Sequence, residues 1–247
     1  MIGLRGEFDE LYSSLFKNPE PYKGIVLALG RRRDGLTRDE IIAATGMGSG
    51  GDLSRFLEEL EECGFIRKYH VLGAERNGSL YQLMDNFSLF HMQFVSKKRR
   101  HAGNYWTASV SEGAKHAWRG LAFKRLCLEH VRQIKDRLGI SGVAVEVYAW
   151  RQKRGGSAQG SQGVQIDLLL DRKDGIVNLC EMKYTDGEYS LDKSELDRLI
   201  NRREAFRAVC GARRSIHLTM ITSNGLCHNK YSGNIQSELT LADLFGE

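Results

Sequence analysis

Hydrophobic positions recur along this chain with two different periods, and the changes between them predict its elements. Up to residue 64 the spacing is helical. Gly6–Phe16 reads as a short helix. Pro19 and Pro21 open a second, with Tyr22, Ile25, Val26 and Leu29 on one face. Asp34-Gly35 is a turn. Thr37-Arg-Asp-Glu40 has the form of a capping box, in which the hydroxyl and the carboxylate satisfy free backbone N–H groups. Ile41, Ile42 and Ala44 follow, and Gly46 is a natural stop. A glycine-rich turn, Gly46–Gly51, leads to a third helix with Leu53, Phe56, Leu57 and Leu60 as its apolar stripe, ending at Gly64. The period then shortens to two. Phe65–Leu72 and Ser79–Leu83 read as strands about the turn Glu75-Arg-Asn-Gly78. Helix, helix, turn, helix, two-stranded wing is the order of a winged helix-turn-helix, over roughly residues 20–90.

Beyond the apolar segment Phe87–Val95, the charged run Lys97-Lys98-Arg99-Arg100 marks a boundary. The expected division is a winged-helix domain with its lead-in helix at 1–95, a linker at 96–111 and a second domain at 112–247. In the second domain Glu112–Leu138 predicts one long helix, with Trp118, Leu121, Leu128, Val131 and Leu138 on one face and Gly139 ending it. Val143–Trp150 is a strand, and Gly155–Gly163 is a loop rich in Gly, Ser and Gln. Strands Val164–Leu170 and Ile176–Tyr184, a helix over Leu191–Cys210 and a strand Ile216–Thr222 follow. The expected class is α/β in the α+β sense.

Two of these strands carry candidate chemistry. Asp167 lies in Gln165-Ile-Asp-Leu-Leu-Leu170, and Glu181 and Lys183 form an ExK in Cys180-Glu-Met-Lys-Tyr184. Strand side chains alternate, so Glu181 and Lys183 share a face. If Lys173-Asp174-Gly175 is a three-residue hairpin loop, Arg172 pairs with Ile176 and Asp167 with Glu181. A two-residue loop would shift the register by one and separate them. Converging carboxylates suit a hard divalent cation, Mg²⁺ or Mn²⁺, with Asp167 and Glu181 as ligands and Lys183 orienting water or offsetting phosphate charge. The plainer alternative is an acidic–basic pair on a solvated strand face.

Helix, strand, hairpin, helix, strand with Asp–ExK resembles the PD-(D/E)XK nuclease fold. The run Gly163-Val-Gln-Ile-Asp-Leu-Leu-Leu-Asp-Arg-Lys-Asp-Gly-Ile-Val-Asn-Leu-Cys-Glu-Met-Lys183 is similar to the C-terminal region of a large prokaryotic family of AAA-type P-loop ATPases. So are Leu138-Gly-Ile-Ser-Gly142, the segment Gly6–Tyr22, Tyr231-Ser-Gly233 and Leu239-Thr-Leu-Ala-Asp-Leu-Phe245. The resemblance covers nearly the whole chain. It implies an ATPase module, a winged helix and then a nuclease-like domain. No G-x-x-x-x-G-K-[ST] occurs in this chain, so no ATP site and no ATP hydrolysis are expected of it. It reads as part of such a protein or as a stand-alone relative. The resemblance also implies a Phe-Glu pair on the first core helix. Here the pair is Phe123-Lys124. Helical phase turns Lys124 toward the sheet, where it would repel a cation or pair with Glu181 or Asp167.

Charge alters this picture modestly. The 247 residues carry a formal net charge of +5, compatible with a nucleic-acid partner but no histone-like excess. The third helix exposes Asp52, Glu58, Glu59, Glu61 and Glu62 against Arg55, which argues against major-groove reading. Bases lie elsewhere: Arg31–Arg33, Arg67 and Lys68, Lys97, Lys98, Arg99 and Arg100, Arg151 to Arg154, and Arg198, Arg202, Arg203 and Arg207. Of these, Lys97–Arg100, Arg151, Arg154, Arg198 and Arg202 are the expected DNA contacts. Five cysteines without a CxxC read as buried thiols, and the seven histidines show no ligand spacing. No run approaches eighteen apolar residues and the N-terminus lacks a signal-peptide core, so no membrane partner and a cytoplasmic location are expected. Two functions follow. One is a metal-dependent phosphodiesterase of an ATPase-associated family, impaired by Lys124. The other is a non-catalytic module that docks onto an ATPase or another protein.

Overall fold

The computed structural model describes residues 6–32, 34–71, 79–96, 106, 110–152, 164–211 and 213–246. The chain divides into two units, Met1–Glu112 and Gly113–Glu247. The fold is mixed α and β throughout.

In the first unit α1 (Glu7–Leu15) and α2 (Glu20–Gly30) are followed by a two-residue strand β1 (Leu36–Thr37), α3 (Arg38–Thr45) and α4 (Gly51–Glu62). Then come β2 (Ile66–Val71) and β3 (Ser79–Leu83). The expected stripe of α2 is buried at all four positions, Tyr22, Ile25, Val26 and Leu29. The capping box forms in full: Thr37 Oγ1 accepts from the Glu40 N–H at 3.2 Å, and the Thr37 N–H donates to Glu40 Oε2 at 2.8 Å. Gly46 ends α3 in the left-handed conformation, φ 72°. In α4 Leu53, Leu57 and Leu60 are buried and Phe56 packs partly against them. β3 pairs antiparallel with β2 on one side and with β1 on the other. The turn expected at 75–78 lies outside the described residues, as do Arg33 and the run 97–100. The apolar segment after β3 is helical: α5 (Asn86–Phe90) continues into a π-helical turn, His91–Val95. His91 stacks on Phe8 at 4.7 Å, and Ser88 shares a buried hydrogen bond with Tyr12.

The second unit opens with α6 (Glu112–Glu129) and α7 (Val131–Arg137), two helices where one was expected. The break falls at His130, φ −101° and ψ 30°. Its ring nitrogen and its backbone N–H both reach the Leu126 carbonyl, at 2.9 and 3.1 Å. A side chain competing for its own helix's acceptor weakens the continuation. The most buried apolar residues of the two helices are Phe123, Cys127 and Ile134. Of the face expected, Leu128, Val131 and Leu138 pack partly against that core.

The sheet order is β4 (Val145–Gln152), β5 (Val164–Arg172), β6 (Ile176–Lys183), β8 (Ser215–Thr222) and β10 (Ser237–Thr240). β4, β5 and β6 run antiparallel; β8 and β10 join parallel to β6 and to each other. Between β6 and β8 the chain makes a short strand β7 (Tyr189–Ser190) and α8 (Lys193–Cys210). β7 pairs with β9 (Leu226–Cys227) in a separate ribbon. Phe123, Cys127, Leu168, Leu170, Cys180 and Met182 share one core, so α6 covers that face. The five cysteines are free. Cys127 and Cys180 are buried as expected, but Cys63 is exposed because it caps the end of α4, beyond the apolar stripe. Burial pushes the Cys127 thiol up to about 12.

Candidate active centre

The β5–β6 hairpin fixes where Asp167 and Glu181 stand. β5 ends at Arg172 and β6 begins at Ile176, leaving the three-residue loop Lys173-Asp174-Gly175. Gly175 supplies the positive φ, 91°, and its N–H returns to the Arg172 carbonyl at 3.2 Å. The register Asp171↔Val177 through Leu168↔Cys180 is the one this loop length demands. One step further the same count sets Asp167 opposite Glu181.

The ladder does not take that step. Pairing between β5 and β6 stops at Leu168↔Cys180. β5 runs on to Val164 along β4, and β6 runs on to Lys183 along β8. The two strands therefore part, and Asp167 and Glu181 stand at the mouth of the resulting fork. This corrects the expectation of a directly bonded Asp167–Glu181 pair: the register is as expected, but the sheet opens there. An opening in the sheet also gives Lys124 of α6 a route to a residue that alternates away from α6's own core.

Each acid in the fork already holds a cation. Lys124 Nζ lies 2.8 Å from Asp167 Oδ2, and Gln165 Nε2 donates to Asp167 Oδ1 at 2.8 Å. Arg202 Nη1 donates to Glu181 Oε2 at 2.6 Å, and Lys183 Nζ lies 3.2 Å from Glu181 Oε1. Lys183 also reaches Glu195 Oε2 at 3.3 Å, and Arg198 holds Glu195 Oε1 at 2.6 Å. The Glu181 side chain is only 11% exposed. Enclosing a carboxylate this far is costly unless it is paired and hydrogen-bonded, and these cations supply the pairing.

The alternatives for Lys124 thus resolve to Asp167. The structure also brings in residues whose role was not foreseen. Glu195 sits in the first turn of α8, its N–H bonded to the capping carboxylate of Asp192 at 2.8 Å. Glu195, Arg198 and Arg202 are spaced i, i+3, i+7 and so share one stripe of α8. That spacing was the available signal. Arg202, expected as a surface contact, turns toward Glu181, whereas Arg198 is 61% exposed. Arg151 is exposed on β4, and Lys97–Arg100 and Arg154 lie outside the described residues.

The donor set as arranged does not suit Mg²⁺ or Mn²⁺. Such ions take several oxygen ligands, while both carboxylates at the fork are engaged by ammonium or guanidinium groups. The third acid, Glu195, stands behind Lys183. Among the described residues no group of three or more His, Cys, Asp or Glu is arranged to hold a metal. No helix among them is long and apolar enough to cross a membrane. Comparison of the chain with protein-family models, curated proteins and solved structures gave no match.

Proposed function

We propose that the second unit is a PD-(D/E)XK-like domain whose Asp167, Glu181 and Lys183 centre is held shut, so that it engages nucleic acid without cutting it. The observation that carries this reading is the 2.8 Å ion pair of Lys124 with Asp167 at the fork. The first unit, with α2, α3 and α4 leading into the β2–β3 pair, reads as a winged helix. The exposed flank of α4 supports a protein-facing role for it. There Arg55 is already bridged to Asp52 at 3.3 Å and to Glu59 at 3.5 Å, leaving little positive charge for a phosphate. A P-loop ATPase module is the partner that the family resemblance favours.

The test is nicking of supercoiled plasmid and single-stranded DNA with Mg²⁺ or Mn²⁺. Wild type is expected to be silent. Lys124→Glu removes the cation from Asp167 and adds a carboxylate, so it is expected to cut, and Lys124→Glu/Asp167→Ala is expected to be silent again. Wild-type cleavage abolished by Asp167→Ala would overturn the closed-centre reading and establish a working nuclease. That second reading is favoured by one observation, that Asp167, Glu181 and Lys183 are gathered at one fork. Silence of every variant, with no DNA binding, would instead leave a purely protein-docking module.

A further inference from the structure

We infer that the second unit carries a binding site for a free aromatic amino acid, in the cleft between α7 and the chain that follows β10. The residues that line it take no part in the fork, so the inference goes beyond the closed-centre reading and does not depend on it. The cleft has a volume of about 680 Å³, within the usual range of small-molecule sites. Both walls are anchored. Ile134 of α7 is fully buried. The other wall is the 3₁₀ turn Ala242–Leu244 with Phe245 and Gly246, whose N–H groups both return to the Ala242 carbonyl, at 3.1 and 3.0 Å. Leu244 pins that turn to the core.

The charges lining the cleft are Arg132, Asp136, Arg137 and Asp243, two of each sign. One pair is closed. Arg137 Nε holds Asp243 Oδ1 at 2.7 Å, and Asp243 Oδ2 accepts from the Thr240 N–H and hydroxyl. The other pair is open. Arg132 and Asp136 stand four residues apart on α7, the spacing at which opposite charges meet on a helix, but with the base N-terminal to the acid, the less favourable order. They form no ion pair, and among the described residues the Arg132 guanidinium has no partner. The Asp136 carboxylate accepts only from the Ser141 hydroxyl among those residues. One wall therefore offers a free guanidinium and a largely free carboxylate side by side, with no net charge.

The other wall offers a ring. Phe245 is 63% exposed, the most exposed large apolar side chain among the described residues. The His130 ring meets it at 4.9 Å and 61°, which steadies it and leaves most of its surface open. A zwitterion with an aromatic side chain answers all three groups at once. Its carboxylate takes the two-donor edge of Arg132, its ammonium takes Asp136, and its ring packs on Phe245. Simpler ligands leave a group unmet. An anion on Arg132 is repelled by Asp136, a cation on Asp136 by Arg132, and an apolar ring strips water from both without replacing it.

The experiment is a calorimetric titration of the full chain with L-tryptophan, tryptamine, indole-3-propionate, L-leucine and adenosine monophosphate. Tryptophan is expected to bind. Tryptamine lacks the carboxylate and indole-3-propionate lacks the ammonium, so each should bind at least about tenfold more weakly. Leucine keeps both charges without the ring and should lose about threefold or more. Arg132→Gln should weaken tryptophan by about tenfold and leave the lower affinity of tryptamine unchanged. Asp136→Asn should weaken tryptophan by about tenfold and leave indole-3-propionate unchanged or tighter. Misfolding cannot produce this crossed pattern, because each variant keeps one ligand. Phe245→Leu should weaken tryptophan by about threefold or more, and Lys173→Gln, at the hairpin tip, should change nothing. Four results would each overturn the inference: no tryptophan binding at millimolar concentration, indole-3-propionate as tight as tryptophan, adenosine monophosphate tighter than tryptophan, or binding indifferent to both Arg132→Gln and Asp136→Asn. The second would make the cleft an anion site and the third a nucleotide site. DNA nicking is not read here, so failure of this titration is distinct from failure of the closed-centre reading.

Discussion

Gly35 sits at φ 77°, and the carbonyl oxygen of Tyr81 lies 2.5 Å from where a Cβ would stand. A methyl group there meets both backbone strain and a backbone atom that cannot turn aside. Gly35→Ala is therefore expected to destabilise the first unit by about 2–4 kcal/mol, read from the shift in the urea midpoint. Gly139 is the control. Its φ is 69° but nothing lies within 4 Å of the added carbon. Gly139→Ala should cost only about 1 kcal/mol, and equal losses at the two sites would refute the steric account. At this scale the sequence was informative where a residue's chemistry is local. Asp34-Gly35 read as a turn and Thr37-x-x-Glu40 as a capping box, because both depend on atoms within three residues. The direction of Lys124 was also legible, since helical phase alone sets it. Its choice of Asp167 over Glu181 was not, because that depends on where the sheet opens.

The elements that escaped sequence reading are short or made by long-range pairing. β1 and β7 have two residues each and alternate too briefly to show a period. β10 exists because Ser237–Thr240 finds Thr219–Thr222 across the sheet. The break at His130 turns on one imidazole reaching one carbonyl. The segment after β10 is tied back to α7 through Asp243. Burial raises the affinity of this carboxyl for its proton. Hydrogen bonds from the Thr240 N–H at 2.7 Å and hydroxyl at 2.9 Å, and Arg137 at 2.7 Å, outweigh it and hold the group below the ordinary aspartate range. A depressed carboxyl contributes stability that is complete above its unfolded value and is lost as pH falls toward the folded one. The second unit should therefore weaken as pH falls below the ordinary aspartate range. Asp243→Asn should lower the urea midpoint at pH 7 and reduce its further fall on acidification. An unchanged acid limb would remove Asp243 from the account.

Over the whole molecule the excess of five positive charges says little alone. Its distribution says more: among the described residues Lys124, Lys183, Arg198 and Arg202 gather around the acids of the fork, and the exposed edge of α4 is acidic. Asp167, Glu181 and Lys183 could be named from the sequence because a strand's alternation and a hairpin's length fix their faces. The cations that close the centre come from α6 and α8, 43 residues before Asp167 and 21 after Glu181. No local pattern links residues so far apart.

The parting of β5 from β6 leaves a trace that needs no ligand and no enzyme assay. Between 164 and 166 β5 is paired on its β4 side only, so backbone N–H groups there that point toward β6 have no strand partner across the gap. Deuterium should enter these positions with a two-residue rhythm, every second amide exchanging far sooner than its neighbour. Uniform protection from Val164 to Arg172 would mean that the strands stay zipped in solution. A nucleic acid seated at the mouth would slow the fast set by screening it from water. The same few amides would thus act as a clock for occupancy.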